Sequence, residues 1–361
     1  MAFERITLHV TDRCQLNCDH CLRDPAQKST DMSLEIAQTA LSESRAVMKT
    51  EIASFTGGEP TLHPKFSEFV AMAVAEGMKW SMVTNGIRLR KVLDSLGDHA
   101  RECDAIYISM DGATPETHDL IRGAGSHDAV IEAVAVARER GIPVWIQLTL
   151  NRRNIDDVEG FCVQAARMGV TGLRFEGTQA TGTLLDPSLF VSAERMLEAR
   201  DEIERLASRL KLQVPISPGV PSRQRFVMCA PFEAAALYVE PDGQVRFCAK
   251  HAGVPSPPDA EDHIGKIGEV SLLQAQIRMF AVIRLAQERR LELLKSGDLS
   301  GWNAPQCNTC LAAFGRPFWT DAGRASGAQA KRERWRGAWV PSPEKAAEAE
   351  AALLATESPG A

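Results

Sequence analysis

The chain has 361 residues, of which 44% are hydrophobic and 24% charged, and its formal net charge is -6 at pH 7. This is the composition of a soluble globular protein, and the length allows one large catalytic domain with a smaller one attached. The negative charge excludes a general attraction to nucleic acid or anionic membranes, and no apolar run approaches the roughly 20 residues of a membrane span.

The N-terminal segment predicts a strand. It contains Glu4 and Arg5 within MAFERITLHV, a pattern that differs from a signal peptide. We therefore expect a cytoplasmic protein with no membrane or nucleic-acid partner.

From residue 3 to 175, short β-rich runs alternate with longer runs of helical periodicity. The predicted strands are 4–10, 51–55, 79–84, 104–110, 143–150 and 171–176, and the predicted helices are 33–49, 65–76, 88–98, 126–140 and 155–168. Gly77, Gly141 and Gly169 stand where a helix should end before a strand begins. This alternation implies an α/β fold with a parallel sheet and right-handed crossovers. Six units favour an open (β/α)6 barrel, a partial TIM barrel.

Three of the nine cysteines follow the first predicted strand directly, with the spacing C-x3-C-x2-C: Cys14, Cys18 and Cys21. A cytosolic compartment keeps thiols reduced, so bunched cysteines indicate metal instead of disulfides. Three thiolates can hold three irons of a cubane cluster and leave the fourth open. A zinc site would need a further ligand, and His20 should point elsewhere because it adjoins Cys21. The triplet alone leaves iron and zinc both open.

Further polar motifs stand at the ends of later predicted strands. They are Gly57-Gly58-Glu59-Pro60, Thr84-Asn85-Gly86, Ser109 with Asp111 and Gly112, and Arg174-Phe175-Glu176. Any one of them could be a tight turn. Together with TDRCQLNCDHC, and in this order, they make residues 4–183 resemble the radical SAM superfamily.

The resemblance implies a catalytic [4Fe–4S] cluster on Cys14, Cys18 and Cys21, with S-adenosylmethionine (SAM) bound at the open iron. Reductive cleavage of SAM would give a 5′-deoxyadenosyl radical that abstracts hydrogen from the substrate. An external one-electron reductant such as flavodoxin or ferredoxin is then required.

The resemblance also implies contacts with SAM. Gly57, Gly58, Glu59 and Pro60 would hold the amino group, because glycines let the backbone approach a ligand and Glu59 supplies the charge that an ammonium needs. Ser109 and Asp111 would face the ribose and methionine, and Arg122 could pair bidentately with the carboxylate. Asn85 and Glu176 are further candidates for SAM contacts.

A second group of cysteines lies in the last third of the chain: Cys229, Cys248, Cys307 and Cys310. The run YVEPDGQVRFC predicts a hairpin that turns at Pro241-Asp242-Gly243 and brings the first two cysteines together. The later CxxC could complete a four-thiolate site, although this spacing suits a zinc ribbon equally well. The C-x13-G-x4-C element resembles the start of a SPASM domain. The single CxxC after it resembles the shortened twitch version, which implies one auxiliary [4Fe–4S] cluster.

The predicted domains follow from these motifs. Residues 1–185 form the radical SAM partial barrel, and 186–222 form a linker with a helix at 188–211 and a proline-rich connection. Residues 223–321 form a smaller SPASM/twitch-like domain of a β-hairpin plus helices, and 322–361 form a tail.

The expected function depends on the auxiliary cluster. Ligation by four thiolates indicates that this cluster does not bind the substrate directly. We expect it to transfer electrons, because surrounding charge and hydrogen bonds tune cluster potentials, and a purely structural role is the alternative. The leading expectation is therefore oxidation of a small polar biosynthetic metabolite. The alternative is a ribosomal-peptide maturase that forms a crosslink, thioether or epimer. Only 13 residues precede Cys14, so a peptide-recognition domain would be a separate protein, which favours the small substrate. A non-catalytic zinc protein is a remote alternative.

The sequence does not identify a catalytic base. Candidates on segments expected to face the cavity between the domains are Glu176, Asp186, Glu233, Lys250 and His251. Cys103 and Cys162 have apolar neighbours and are expected in the core. Trp302 and Trp319 are expected to shield the auxiliary cluster.

Overall fold

The structure is a computed structural model. It describes residues 4–22, 29–178, 189–223, 229–233, 235–252 and 262–296, together with Cys307, Cys310, Leu311 and Phe314. The first strands are β1 (Arg5–Thr11), β2 (Ile52–Gly57), β3 (Lys79–Thr84), β4 (Cys103–Ser109), β5 (Val144–Leu150) and β6 (Gly172–Gly177). The helices among them are α1 (Leu34–Met48), α2 (Phe66–Ala75), α3 (Leu89–Leu96), α4 (Pro115–Arg122), α5 (Ser126–Glu139) and α6 (Val158–Met168).

These six strands pair in chain order, and every pair is parallel. The sheet runs β6-β5-β4-β3-β2-β1 and does not close on itself. The predicted open (β/α)6 barrel is therefore confirmed. All carboxyl ends of these strands lie at one edge, the position where barrel enzymes build their sites.

Alternation along β1 fixes which side chains face the helices. Ile6, Leu8 and Val10 are fully buried in the core, whereas Thr7 and His9 between them are half-buried. The helix ends are capped: Ser33 Oγ accepts a hydrogen bond from Ile36 N at the start of α1. Gly77, Gly141 and Gly169 have positive φ angles of 69°, 69° and 64°, as helix-terminating glycines commonly do.

The helix α4 was not predicted as a separate element. It is only eight residues long, begins with Pro115 and is followed by Gly123, whose φ is 119°. Its sequence is mainly polar, so the apolar periodicity that reveals longer helices is weak. The helix matters because it carries Arg122 to the carboxyl edge of the sheet.

The later elements are α7 (Ala193–Leu210), β7 (Ala236–Val239), β8 (Gln244–Arg246), α8 (Ala249–Ala252), β9 (His263–Lys266) and α9 (Leu272–Ser296). The predicted hairpin is present as antiparallel β7 and β8, with Gly243 in its turn at a φ of 88°. It is not set apart from the barrel, however, because β7 pairs parallel with β1 and extends one sheet to nine strands. The assignment of 223–321 to a separate domain stays a prediction.

Among the residues that the structure describes, no helix combines the length and the apolar character that crossing a membrane would require.

Candidate functional site

The cysteines Cys14, Cys18 and Cys21 lie in the loop after β1, at the carboxyl edge of the sheet, and each is half-buried. Burial raises the pKa of the Cys18 thiol to about 11, against the opposing effect of Arg122, whose Nη1 lies 3.9 Å from its sulfur. Such a thiol becomes a thiolate at neutral pH when a metal cation replaces its proton. Asn85 Nδ2 lies 3.9 Å from the Cys14 sulfur on the other side of the loop.

The Gly-Gly-Glu turn packs against the backbone of the cysteine loop. Gly58 N donates to the Thr11 carbonyl at 2.8 Å, and Glu59 N donates to the Arg13 carbonyl at 2.7 Å. A Cβ on Gly57 would lie 2.3 Å from the Thr11 carbonyl oxygen, and a Cβ on Gly58 would lie 2.3 Å from that of Arg13. Gly57 and Gly58 are thus required because the two loops pack closely against each other. The sequence analysis had instead attributed them to the close approach of a ligand.

The substitution Gly58→Ala is expected to displace the cysteine loop, because the new methyl group meets a backbone oxygen that cannot rotate away. For the reductive SAM cleavage that the resemblance implies, we expect the rate to fall about 100-fold, the loss typical of a misplacement near 1 Å. The measurement is 5′-deoxyadenosine release by the anaerobic reduced protein. Gly77→Asn is the control, since a Cβ there meets nothing within 4 Å and Asn tolerates its positive φ. An equal loss in both variants would contradict the prediction.

The Glu59 carboxylate is buried and points into the protein. Oε1 accepts hydrogen bonds from Thr61 Oγ1 at 2.6 Å and Thr84 Oγ1 at 2.8 Å, and Oε2 accepts from Asn85 N at 2.8 Å. Burial raises its pKa despite these donors. Glu59 therefore ties the turn to the end of β3, and its expected contact with the SAM ammonium stays a prediction.

Asp111 is the centre of a buried ionic network that reaches the cysteine loop. Its Oδ2 lies 2.6 Å from His20 Nε2 and 2.5 Å from Arg122 Nε, and its Oδ1 accepts from Thr149 N at 2.8 Å. Burial alone would raise the pKa of Asp111, but Arg122 and His20 hold it well below its usual range. The carboxylate joins β4, β5, α4 and the cysteine loop.

In this network Asp111 and Arg122 bind each other. The sequence had predicted that each of them contacts SAM. His20 was expected to point elsewhere than to the metal, and its Nε2 contacts Asp111, which anchors the cysteine loop. His20 and Asp111 are 91 positions apart in the chain, so no local sequence pattern could have predicted their contact. Ser109 lies half-buried at the end of β4, and contacts of these residues with SAM stay predictions.

Glu176 ends β6 and bridges the open side of the barrel. Its Oε1 lies 3.0 Å from Arg174 Nε, and its Oε2 lies 3.2 Å from Nζ of Lys250, which follows β8 near the opposite end of the sheet. Burial would raise the pKa of Glu176, but Lys250 and Arg174 outweigh it and lower the pKa to about 2. Glu176 is therefore an ionised link between the barrel and the segment after Cys248.

Glu176→Gln is expected to lower the free energy of unfolding by about 3 kcal/mol at pH 7, because Lys250 loses its buried partner. The folded-state pKa lies below the ordinary 4.5, so the ionised carboxylate stabilises the protein fully above about pH 4.5. This contribution disappears as the pH falls towards about 2. Urea unfolding of both metal-free proteins between pH 7 and pH 3 should therefore give a difference that shrinks with acidity.

The matched control is Glu132→Gln, which breaks a surface ion pair with Arg90 whose N–O distance is also 3.0 Å. Solvated pairs contribute little, so this variant should match the parent at every pH. A pH-independent difference for Glu176→Gln would count against the assigned ionisation.

The four later cysteines line one cavity that is partly open to solvent. Its other lining residues are Pro218, Pro231, Phe232, Phe247, Lys250, His251 and Arg290. Burial raises the pKa of Cys229 to about 11 and that of Cys248 to about 12. Four thiols line one cavity together with aromatic and cationic groups, and four is the number of ligands that a [4Fe–4S] cluster takes, although the sulfurs are not gathered closely enough to hold a single metal ion.

Other sequence candidates lie in varied positions. Glu233 is exposed, whereas His251 is buried at the cavity. Asp186, Trp302 and Trp319 lie outside the described residues. Cys162 is fully buried as expected, but Cys103 lies half-buried at the start of β4, at the edge of the core.

In the described part of the chain, no three His, Cys, Asp or Glu side chains are close enough together to hold a single metal ion.

Comparison with known proteins finds similarity in the barrel. Residues 8–163 match the radical SAM superfamily. The mycofactocin maturase MftC of Mycobacterium tuberculosis (strain CDC 1551 / Oshkosh) is 32% identical over 205 residues, which cover 54% of this chain and 50% of that protein. The PqqA peptide cyclase of Ruegeria pomeroyi (strain ATCC 700808 / DSM 15171 / DSS-3) is 27% identical over 257 residues, covering 68% and 67%. The chain thus spans about half the length of the first relative.

Solved structures agree on the fold. Native anSMEcpe with bound AdoMet and Kp18Cys peptide aligns at a TM-score of 0.61 and 17% identity, covering 78% of this chain and 83% of that one. Streptococcus suis SuiB bound to precursor peptide SuiA aligns at 0.59 and 11% identity, covering 71% and 62%. At these identities the likeness concerns the fold alone.

Proposed function

We propose, from the radical SAM domain that matches residues 8–163, that the chain cleaves SAM reductively and uses the resulting radical to modify a peptide. The proposal that the chain cleaves SAM is supported by the way the cysteine loop is held in place. Backbone hydrogen bonds from Gly58 and Glu59 and the His20–Asp111–Arg122 network fix it at the carboxyl edge of the sheet. When bound there, a [4Fe–4S] cluster supplies the electron for SAM cleavage.

The residues of this chain would prepare the site in three ways. Cys14, Cys18 and Cys21 supply three thiolates and leave one iron open for SAM. The Gly57–Pro60 turn presents its backbone next to that loop, and Arg122 places a cation 3.9 Å from the Cys18 sulfur. A cation beside a thiolate favours its ionised form.

The comparisons favour a peptide substrate over the small polar metabolite expected from the sequence. A mycofactocin maturase and a PqqA peptide cyclase are among the similar curated proteins, and the name of the second states that it cyclises a peptide. The ranking of the two expectations is therefore reversed. Crosslink, thioether and epimer formation remain the candidate outcomes.

Cys229, Cys248, Cys307 and Cys310 are proposed to hold one auxiliary [4Fe–4S] cluster. Their arrangement around a single cavity supports four-thiolate ligation. Lys250 and Arg290 line the same cavity and favour a negatively charged centre. An electron acceptor here would serve the oxidation of a substrate radical, and the Lys250–Glu176 pair links this cavity to the end of β6.

The test is anaerobic reaction of the reduced protein with SAM and synthetic peptides encoded by short reading frames beside its gene, with deuterium in their side chains. Deuterium in 5′-deoxyadenosine and a mass change in one peptide would support the proposal. A parallel reaction receives a mixture of deuterated sugars and aminocyclitols. Deuterium transfer only from that mixture would restore the small-metabolite hypothesis, and absence of 5′-deoxyadenosine in every reaction would refute the enzymatic assignment.

A further inference from the structure

His251 stands between a carboxylate and a cysteine sulfur at the auxiliary cavity. Its Nδ1 lies 2.7 Å from Asp262 Oδ2, and its Nε2 lies 3.8 Å from Cys310 Sγ. His251 and Asp262 are each 2% exposed, and Cys310 is 8% exposed. These three residues come from separate segments, and the sequence offered His251 only as one of several candidate bases.

Packing fixes the direction of the imidazole ring. Phe247 and Phe314 contact it at centroid distances of 5.7 and 5.5 Å with steep interplanar angles of 63° and 73°. At its backbone, His251 N donates to the Cys248 carbonyl at 2.9 Å, which ties the residue to a second cysteine of the cavity. The ring is therefore held towards Cys310 whether or not the sulfur attracts it.

Hydrogen-bond chemistry then limits what the ring can do. A carboxylate accepts only, and a cysteine sulfur that ligates metal has lost its proton and accepts as well. Asp262 orients the ring from its Nδ1 side, and Nε2 is the nitrogen that faces the Cys310 sulfur. An N–H on Nε2 would therefore meet an acceptor at that sulfur.

A hydrogen bond to a ligating sulfur draws electron density from the cluster and stabilises its reduced, more negative form. We propose that His251, oriented by Asp262, donates to the Cys310 sulfur and raises the reduction potential of the auxiliary cluster. This inference rests on the proposed auxiliary cluster. It assigns His251 a positioning and tuning role in place of the base role considered from the sequence.

The arrangement could also be taken for a Cys-His-Asp nucleophile, but two observations oppose that use. The Cys310 sulfur shares its cavity with Cys229, Cys248 and Cys307, so it belongs to a converging set of thiols. Cys310 is also only 8% exposed, so a substrate cannot reach its sulfur easily. Metal ligation accounts for all four cysteines at once.

The test uses the full chain with Cys14, Cys18 and Cys21 all changed to alanine, so that only the auxiliary cluster remains. Its reduction potential is measured by an anaerobic redox titration followed by electron paramagnetic resonance. His251→Phe keeps an aromatic ring in the Phe247–Phe314 contact but removes both ring nitrogens. We expect it to lower the equilibrium constant for reduction at least tenfold, about 59 mV for one electron. Asp262→Asn should shift the potential in the same direction.

His263→Phe is the matched control. His263 is a nearby histidine on β9 whose Nε2 bonds Gln244 and which does not line the cavity. The reduction potential of the cluster in the His263→Phe variant should equal that in the parent. If His251→Phe retains four irons and has the parent potential, the role of His251 is refuted while the auxiliary cluster stands. If the parent triple variant binds no iron, the auxiliary cluster itself is refuted.

A second measurement needs no variant at position 251. In the same triple variant grown with 15N-histidine, pulsed electron paramagnetic resonance should detect one weakly coupled histidine nitrogen, as a hydrogen bond to sulfur produces. A strong coupling would indicate direct ligation of iron by His251 and overturn the proposal. No coupling would overturn it as well.

Discussion

Changing Cys18 to alanine is expected to abolish reductive cleavage of SAM, with 5′-deoxyadenosine release falling at least 1,000-fold, to about the background rate. Cys18 lies at the centre of the cysteine loop, between Cys14 and Cys21, and its sulfur faces the Arg122 guanidinium at 3.9 Å. Three thiolates hold three irons of the cluster and leave the fourth open for SAM. Loss of one thiolate is therefore expected to release the cluster. The purified variant should also contain about four fewer irons than the parent.

Two other cysteine variants make this result specific. Cys103→Ala removes a half-buried thiol at the start of β4, the opposite end of that strand from the site, and should keep both the irons and the reaction. Cys248→Ala removes one of the four cysteines that line a different cavity, and it should lose the roughly four irons proposed for that site. Retention of full 5′-deoxyadenosine release by Cys18→Ala would disprove the assignment of the catalytic cluster.

Changing Asp111 to alanine is expected to lower the free energy of unfolding by about 3–5 kcal/mol, the usual effect of leaving a buried charge unpaired. Arg122 is 9% exposed, and its Nε lies 2.5 Å from the Asp111 carboxylate. Removing the carboxylate also releases His20, which holds the loop between Cys18 and Cys21. We therefore expect weaker retention of catalytic iron together with the loss of stability, measured by urea unfolding and by iron content.

A double-mutant cycle separates the charge from the packing. Arg122→Met alone should destabilise the protein because it leaves Asp111 with fewer partners. The double variant Arg122→Met/Asp111→Asn should lose much less free energy of unfolding than the sum of the losses in the two single variants, since no uncompensated charge remains. Asp128→Ala is the surface control, because that carboxylate is 90% exposed and contributes little. Strict additivity of the two changes would show that the pair does not act as a unit.

Much of the barrel was accessible from the sequence because its signals are local. Each predicted strand from 4–10 to 171–176 is present within about three residues, the usual uncertainty of element ends. Apolar alternation and glycine stops depend on neighbours a few positions away, which a single sequence displays. The short polar helix α4 was missed because it has too few apolar positions to reveal a period.

The sequence by itself also determined the chemistry available to this protein: two groups of cysteines and the order of motifs at the strand ends. Only the tertiary structure decided which side chains meet. It joined His20 to Asp111 across 91 positions, turned Glu59 towards Thr84, joined β7 to β1, and set His251 between Asp262 and Cys310. The physical reason is that spacing and composition express local backbone preference, whereas these contacts depend on how distant strands and helices pack in three dimensions.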